Sequence, residues 1–161
     1  VTALSTWRSP LGPVAVEATE RGVCGVTFGA RGRPRPPVSA AAREHVVQGL
    51  AALRSYFHGD APALPDLDLG GSDFEVRVWR ALLAIPFGET RTYGELASAV
   101  GAPGAARAVG AALGRNPIPV LVPCHRIVAA GGRLGGYGLG TDMKRWLLAH
   151  EAGHAPALRP G

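Results

Sequence analysis

The sequence predicts an α/β N-terminal lobe followed by a mostly helical C-terminal lobe, and three observations carry that prediction. Residues 14–28 alternate in the manner of a hairpin, apolar positions between 46 and 57 recur at helical spacing, and two capping boxes open short helices beyond a Pro- and Gly-rich stretch. A chain of 161 residues can bury one good core or two small ones. The boundary falls at the glycine pair Gly70-Gly71, giving an N-terminal α/β domain at 1–71 and a second domain at 72–161.

Each element follows in turn. Val14, Val16 and Ala18 share one face with Ala15 and Glu17 between them, and a Glu20-Arg21-Gly22 turn leads to Val23 through Phe28. Period two around a turn predicts paired strands. Cys24, inside the second strand, reads as core filler. A Pro- and Arg-rich loop at 31–37 interrupts. Val46, Leu50, Leu53 and Phe57 are then spaced by four, three and four, with Gly59 as a stop, which predicts one amphipathic helix. Pro62, Pro65, Gly70 and Gly71 mark a linker.

Past the linker, Ser72-Asp73-Phe74-Glu75 is a capping box whose helix places Phe74, Val78, Trp79, Leu82 and Leu83 on its apolar side until Ile85-Pro86-Phe87-Gly88 ends it. A second box, Thr92-Tyr93-Gly94-Glu95, opens a helix to about Val100. Gly101-Ala102-Pro103-Gly104 then turns into a helix reaching about Leu113. Two short helices joined by a tight glycine turn outline a helix-turn-helix. A final helix runs from Thr141 through Trp146, Leu147 and Leu148 to Glu151.

Charge is segregated. Residues 1–73 carry seven Arg against seven acids, whereas residues 74–161 carry ten Lys or Arg against five, so the whole net charge of +5 lies in the second half. That is the footprint of a protein that meets a polyanion such as nucleic acid, although a basic surface with no partner is also common. Two cysteines without a C-x-x-C pair or a ligand cluster predict neither a disulfide framework nor a metal site, and fit a reducing cytoplasm. No cofactor is expected. No run of about 18 apolar residues and no charged leader occurs, which predicts a soluble protein that neither crosses a membrane nor is exported.

The chemistry concentrates at Pro123-Cys124-His125-Arg126-Ile127, after the apolar, strand-like run at 118–122. A thiol with an ordinary pKa near 8.5 is only slightly ionised at neutral pH, and an imidazole with an acidic partner can act as its base. His125 is the candidate base. Neighbouring strand residues point to opposite faces, so a bridging water is expected between the two. Glu151 is the candidate orienting acid. Asn116, before Pro117, either clamps the bend that presents the sulfur or is an ordinary turn residue.

Two further segments have paired readings. The helix Ala105 to Leu113 is nearly bare and carries one long cation, Arg107. It lacks the polar side chains that read base edges, so Arg107 either inserts into a duplex in place of a displaced base or is a solvated cation on a tightly packed helix. The glycine-rich run at 131–140, with Tyr137 in it, is either a flexible lip over a flat aromatic substrate or a surface loop. It lacks the strand-turn-helix context of a dinucleotide fingerprint.

These motifs together closely resemble the O6-alkylguanine-DNA alkyltransferases, or methylated-DNA–protein-cysteine methyltransferases. The likeness runs through Phe74-x-x-x-Val78-Trp79, Ile85-Pro86-Phe87-Gly88-Glu89-Thr90, Thr92-Tyr93-Gly94, Ala105-Ala106-Arg107-Ala108-Val109-Gly110, Asn116-Pro117, the Cys124 pentapeptide, Gly136-Tyr137-Gly138 and Leu147-Leu148-Ala149-His150-Glu151. Ser9-Pro10-Leu11-Gly12 resembles the opening of the family's N-terminal domain. The resemblance implies a ribonuclease H-like N-terminal lobe and a winged helix-turn-helix. It implies direct, irreversible transfer of the alkyl group of O6-alkylguanine, and of O4-alkylthymine, from duplex DNA to Cys124, by a protein that is monomeric when unbound.

By the same resemblance, His125, a water and Glu151 form the relay, Asn116 braces the turn, and Tyr93 helps rotate the nucleotide and hydrogen-bonds the leaving guanine. Arg107 replaces the extruded base, Thr92 lies near a phosphate, Ala106, Ala108 and Gly110 line the minor groove, and Arg115 adds a DNA contact. Tyr137, Gly138, Ile127 and Pro119 surround the base. Two departures stand out: Leu139 interrupts the glycines where many bacterial relatives have a third small residue, and Gly114 stands where some have Arg. Rival readings are an alkyltransferase-like binding module, which lacks the cysteine; a transcription regulator, disfavoured by the bare helix; and a cysteine hydrolase, which would turn over.

Overall fold

Three antiparallel strands in the order β1-β2-β3 open the chain: β1 (Ala3–Ser9), β2 (Gly12–Ala18) and β3 (Val23–Phe28). The computed structural model describes residues 2–29 and 39–153, so the arginine-rich loop at 31–37 lies outside the described residues. β1 was not foreseen in the sequence because only its end residues, Ala3 and Ser9, are buried, which leaves no alternation to read. Ser9-Pro10-Leu11-Gly12 is the turn joining it to β2. The Ser9 hydroxyl donates to Gly12 O at 2.7 Å and accepts from Leu11 N at 3.1 Å, while Gly12 takes φ +100°, a conformation that glycine adopts without strain.

The expected alternation in β2 fails at Ala15, which is 4 % exposed. β2 is the central strand, and Ala15 lies between Thr6 on β1 and Thr27 on β3. Cross-strand partners share a face, and two flanking threonines cover a side chain this small. Cys24 is only half-buried, so it does not fill the core as expected.

Helix α1 (Ala40–His58) lies across the sheet. Ser39 caps its start by accepting from Ala42 N, and Gly59 ends it at φ +105°. Its Val46, Leu50, Leu53 and Phe57 are all buried, and the Phe57 ring meets Trp7 of β1 and Phe28 of β3 at centroid distances of 6.0 and 6.4 Å. The stretch at 61–71 is not a loose linker. Val23 N donates to Asp66 O and Asp68 N donates to Val23 O, both at 2.8 Å, and the Thr19 hydroxyl donates to Asp68 at 2.7 Å. The backbone groups along the open edge of β3 require partners, and this segment supplies them.

The chain divides into two compact units at Gly70 and Gly71. The second unit contains α2 (Asp73–Leu82), β4 (Arg91–Thr92), α3 (Tyr93–Ala99), α4 (Ala106–Gly114), β5 (Ile127–Val128) and α5 (Thr141–Glu151). Both capping boxes form reciprocally, Ser72 with Glu75 and Thr92 with Glu95. α4 packs on α2 and α3, and the Trp79 indole ties α2 to it by donating to Ala112 O at 2.8 Å. The parallel pair β4–β5 sets Arg91 against Ile127 and Thr92 against Val128. This pairing anchors Tyr93, the next residue after β4, close to the chain that carries Cys124. None of the described helices is long and apolar enough to cross a membrane.

Gly49 of α1 shows how closely helix and sheet approach. A methyl group there would stand 2.9 Å from Val16 Cγ1 and 3.0 Å from Val23 Cγ2, both on fully buried side chains. Alanine usually gains about 1 kcal/mol over glycine inside a helix, but overpacking against stiff valines costs about 1–3 kcal/mol. Gly49→Ala therefore lowers stability, by roughly 1 kcal/mol, seen as a lower urea midpoint at unchanged slope.

Candidate active site

Cys124 lies in a 3₁₀ turn, Cys124–Arg126, and not at the end of a strand. The apolar run before it is itself a turn: Val122 N donates to Ile118 O at 2.9 Å, and Val120 takes φ +75°, a strained conformation for a β-branched residue. Asn116 holds this turn closed. Its Nδ2 donates to Val122 O at 2.7 Å and its Oδ1 accepts from Ile118 N at 2.9 Å. Val122 O also accepts from Cys124 N at 2.8 Å, around Pro123 at φ −83° and ψ 66°. Those angles make an inverse γ-turn, which bends the chain at the sulfur and removes the strand geometry that would set Cys124 and His125 on opposite faces.

His125 is fully buried, and its Nε2 is hydrogen-bonded to Glu151 Oε2. The other carboxylate oxygen, Oε1, accepts from Arg126 Nε at 2.7 Å and from Gly88 N at 3.0 Å. Gly88 can present its N–H because it takes φ +87° in a turn closed by Glu89 N donating to Pro86 O at 3.0 Å. Arg126 is held further by donating to Ile85 O at 2.7 Å, and its guanidinium lies 5.8 Å over the Phe87 ring.

The protonation states follow from these contacts. Burial pushes the Glu151 carboxyl up, but His125, Arg126 and the Gly88 N–H outweigh it and bring the pKa down to about 2. Burial dominates for His125 and lowers its pKa, against the upward pull of Glu151. An ionised carboxylate only accepts, so the neutral ring carries its proton on Nε2 and keeps the lone pair of Nδ1. That is the tautomer of a base.

Burial raises the pKa of Cys124, so the sulfur rests as a thiol, despite downward pulls from Asn116, Tyr137, its own N–H and the Lys144 charge. Lys144 was not anticipated from the sequence. It is fully buried on α5, and its Nζ donates to Ile127 O at 2.6 Å and to Gly136 O at 3.1 Å. Burial lowers its pKa, and a thiolate at Cys124 would pull it back up. A cation buried against two neutral carbonyls is a costly arrangement. Position 144 carried no sequence signal, since a lysine on an amphipathic helix reads as a surface residue.

A cavity of about 240 Å³ opens onto the sulfur. Gly110, Leu113 and Gly114 of α4 form one wall, Gly136, Tyr137 and Gly138 form another, and Tyr93 completes it beside Cys124. The Tyr137 hydroxyl is buried beside the sulfur, which helps to raise its pKa. Tyr93, its pKa raised by burial, meets the Gly136 backbone. Ile127 and Pro119 are buried but lie outside the cavity lining. Arg107, Ala106 and Ala108 are exposed on α4, and Arg107, Gly110 and Gly114 follow one another at helical steps of three and four. Its stripe therefore runs to the cavity mouth. Thr92 is half-buried, with its hydroxyl occupied as the cap of α3. Arg115 is exposed and pairs with Glu75 at 3.4 Å.

The site thus defines a class: a protein with a buried cysteine at a cavity and a histidine–glutamate pair behind it, set in a basic helical unit beneath a bare helix. Residues 73–153 match the family described as 6-O-methylguanine DNA methyltransferase, DNA binding domain. The methylated-DNA–protein-cysteine methyltransferase of Mycolicibacterium paratuberculosis is 58% identical over 106 residues, which cover 65% of this chain and 64% of that protein. The one from Methanosarcina acetivorans is 42% identical over 150 residues, covering 90% of this chain and 95% of its own. Mycobacterium tuberculosis OGT, solved in complex with DNA, superposes with a TM-score of 0.82 at 43% identity, covering 96% of this chain and 95% of that one. The chain belongs to the methylated-DNA–protein-cysteine methyltransferase family.

The Glu151 cluster governs acid stability. Both Glu151 and His125 have folded pKa values below their unfolded ones. The folded state therefore binds fewer protons than the unfolded chain, and stability is lost as the pH is lowered. The loss begins below the ordinary imidazole value of 6.5 and continues from 4.5 towards about 2 as Glu151 is protonated. Glu151→Gln leaves Arg126 buried without its anion, so it should cost roughly 3–5 kcal/mol at pH 7 and flatten the profile below pH 4.5. Urea unfolding across pH measures both effects.

Proposed function

We propose that this protein repairs DNA by moving the alkyl group of an O6-alkylguanine onto Cys124. The observation that carries the reading is a buried thiol at the edge of a cavity of about 240 Å³, followed in the chain by an imidazole that Glu151 holds in the tautomer of a base. His125 takes the thiol proton, through a water, as the sulfur attacks the alkyl carbon. The new S–C bond forms as the C–O6 bond breaks, its electron pair goes to guanine, and a proton passes to the base. Lys144 offsets the transient thiolate, and Tyr93 donates to the leaving guanine. Water does not readily hydrolyse the resulting thioether, so each molecule acts once.

Reaching the guanine O6 requires extrusion of the nucleotide, at a cost of a few kcal/mol. Arg107 fills the vacated space, and the stripe from Arg107 through Gly110 to Gly114 supports this because it leads directly to the cavity. Ala106, Ala108 and Gly110 allow the minor groove to approach, with Thr92 near a phosphate. Tyr137 and Gly138 close over the base, while Ile127 and Pro119 act from behind the cavity wall. Arg115 must exchange its bond to Glu75 for DNA. The basic unit at 72–161 then works as a winged helix-turn-helix domain and the unit at 1–71 is a ribonuclease H-like domain, in a cytoplasmic monomer.

Incubating the protein with a duplex containing O6-methylguanine should add one methyl group, which peptide mapping places on Cys124, with no turnover beyond one equivalent. Cys124→Ala should bind the duplex and gain nothing. Labelling on Cys24, or continued turnover, refutes the reading. Arg107→Ala should slow reaction with the duplex by about tenfold or more, yet leave reaction with free O6-benzylguanine nearly unchanged. Equal losses on both would rule out its insertion.

A further inference from the structure

The Tyr137 hydroxyl is buried and has no hydrogen-bond partner among the described residues. A donor that has left water and found no acceptor destabilises the fold, so its position calls for an explanation. Tyr137 and Cys124 line the same cavity. After burial itself, the charge on an ionised Cys124 and a hydrogen bond to it are the causes that hold the tyrosine far above its ordinary pKa. The phenol therefore keeps its proton and stays a donor. In the other direction, Tyr137 is one of the groups that favour the ionised form of Cys124.

The other groups that face the sulfur are committed elsewhere. Cys124 N and Asn116 Nδ2 both donate to Val122 O, at 2.8 and 2.7 Å. Lys144 Nζ donates to the carbonyls of Ile127 and Gly136, and the Tyr93 hydroxyl is bound to the Gly136 backbone. Glu151 occupies Nε2 of His125. Tyr137 is left with a free hydroxyl beside the sulfur.

The loop fixes that hydroxyl in place. Gly140 N donates to Tyr137 O at 3.0 Å, and Lys144 holds the preceding carbonyl, Gly136 O, at 3.1 Å, so the backbone is pinned on both sides of the ring's attachment. A thiol is a weak acceptor, whereas hydrogen bonds to a charged acceptor are short and strong. The hydroxyl gains little from the resting sulfur and much from the ionised one. A preorganised bond that is made in full only after ionisation stabilises the charged state selectively.

We propose that the Tyr137 hydroxyl is a catalytic hydrogen-bond donor reserved for the Cys124 thiolate, unpartnered while the sulfur is a thiol and satisfied once it ionises. The ring serves the bound base and the O–H serves the nucleophile. Once alkylated, the sulfur is a neutral thioether and again a weak acceptor, so the hydroxyl loses the partner it had gained. The inference rests on Cys124 being the nucleophile of the proposed reaction.

The test treats the full chain and Tyr137→Phe with iodoacetamide over a range of pH, and reads the rate at Cys124 by peptide mass, which separates it from Cys24. The thiolate displaces iodide, so an S–C bond forms as the C–I bond breaks. Phenylalanine keeps the ring and removes only the donor. The variant's profile should lie about one pH unit or more higher, which makes its reaction at neutral pH about tenfold slower, and the two profiles should meet where both sulfurs are fully ionised. Methyl transfer from a duplex carrying O6-methylguanine should slow with it, while the urea midpoint holds or rises because an unpaired buried donor has gone. An unchanged profile, or methyl transfer at the parent rate, overturns the inference. A lower urea midpoint overturns it too, since the hydroxyl would then be holding the fold. A parent protein that takes no methyl from the duplex refutes the repair reading instead, and the iodoacetamide arm still decides whether Tyr137 serves the thiolate.

Discussion

One carboxylate organises the reaction centre. Glu151, at the C-terminal end of α5, receives His125 on one oxygen and both Arg126 and the Gly88 N–H on the other. Three segments distant in sequence therefore meet at a single buried charge. An ion this deeply buried is tolerated only when its lone pairs are met, and the three donors do so with the carboxylate fully ionised. The consequence reaches the sulfur, because the accepting oxygen decides which imidazole nitrogen bears the proton.

The second constraint is the path of the chain between Asn116 and Cys124. A single amide bonds both ends of that turn, and the γ-turn at Pro123 places the thiol where neither a strand nor a helix would. Val120 is held in a strained conformation with its side chain 2 % exposed, so packing sustains what the local backbone disfavours. The same arrangement sets the sulfur at the cavity and the imidazole in the interior, although the two residues are neighbours.

What could be read in the sequence depended on whether the signal was local. Capping boxes announce themselves within four residues, so the starts of α2 and α3 were legible, as were the Gly59 stop of α1 and its buried face. The pentapeptide around Cys124 and the glutamate at the end of α5 were legible as candidates, and the structure brings His125 and Glu151 together. Signals that need the fold were not. β1 shows no alternation, Leu67 joins the sheet edge only because Val23 lacks a partner there, and the run at 118–122 is apolar because it is buried, not because it is extended. Lys144 is the clearest case: its role depends on Ile127 O and Gly136 O meeting above α5, and spacing along the helix says nothing about that.

The resting state of Cys124 bears on why the centre is built from buried parts. A thiolate kept permanently ionised would react with any electrophile that reached it, and an acceptor that forms a stable thioether is lost each time that happens. Here burial keeps the sulfur protonated and only 7 % exposed, while the base and a compensating cation stand by. Ionisation then becomes favourable only when something in the cavity draws the electron pair across. In the proposed reaction, desolvation by a base in the cavity would strengthen the attraction between a thiolate and Lys144, so the ligand filling the cavity would also activate the nucleophile. Selectivity in a centre that acts once, as proposed, would then follow from the same low dielectric that makes its charges expensive to bury.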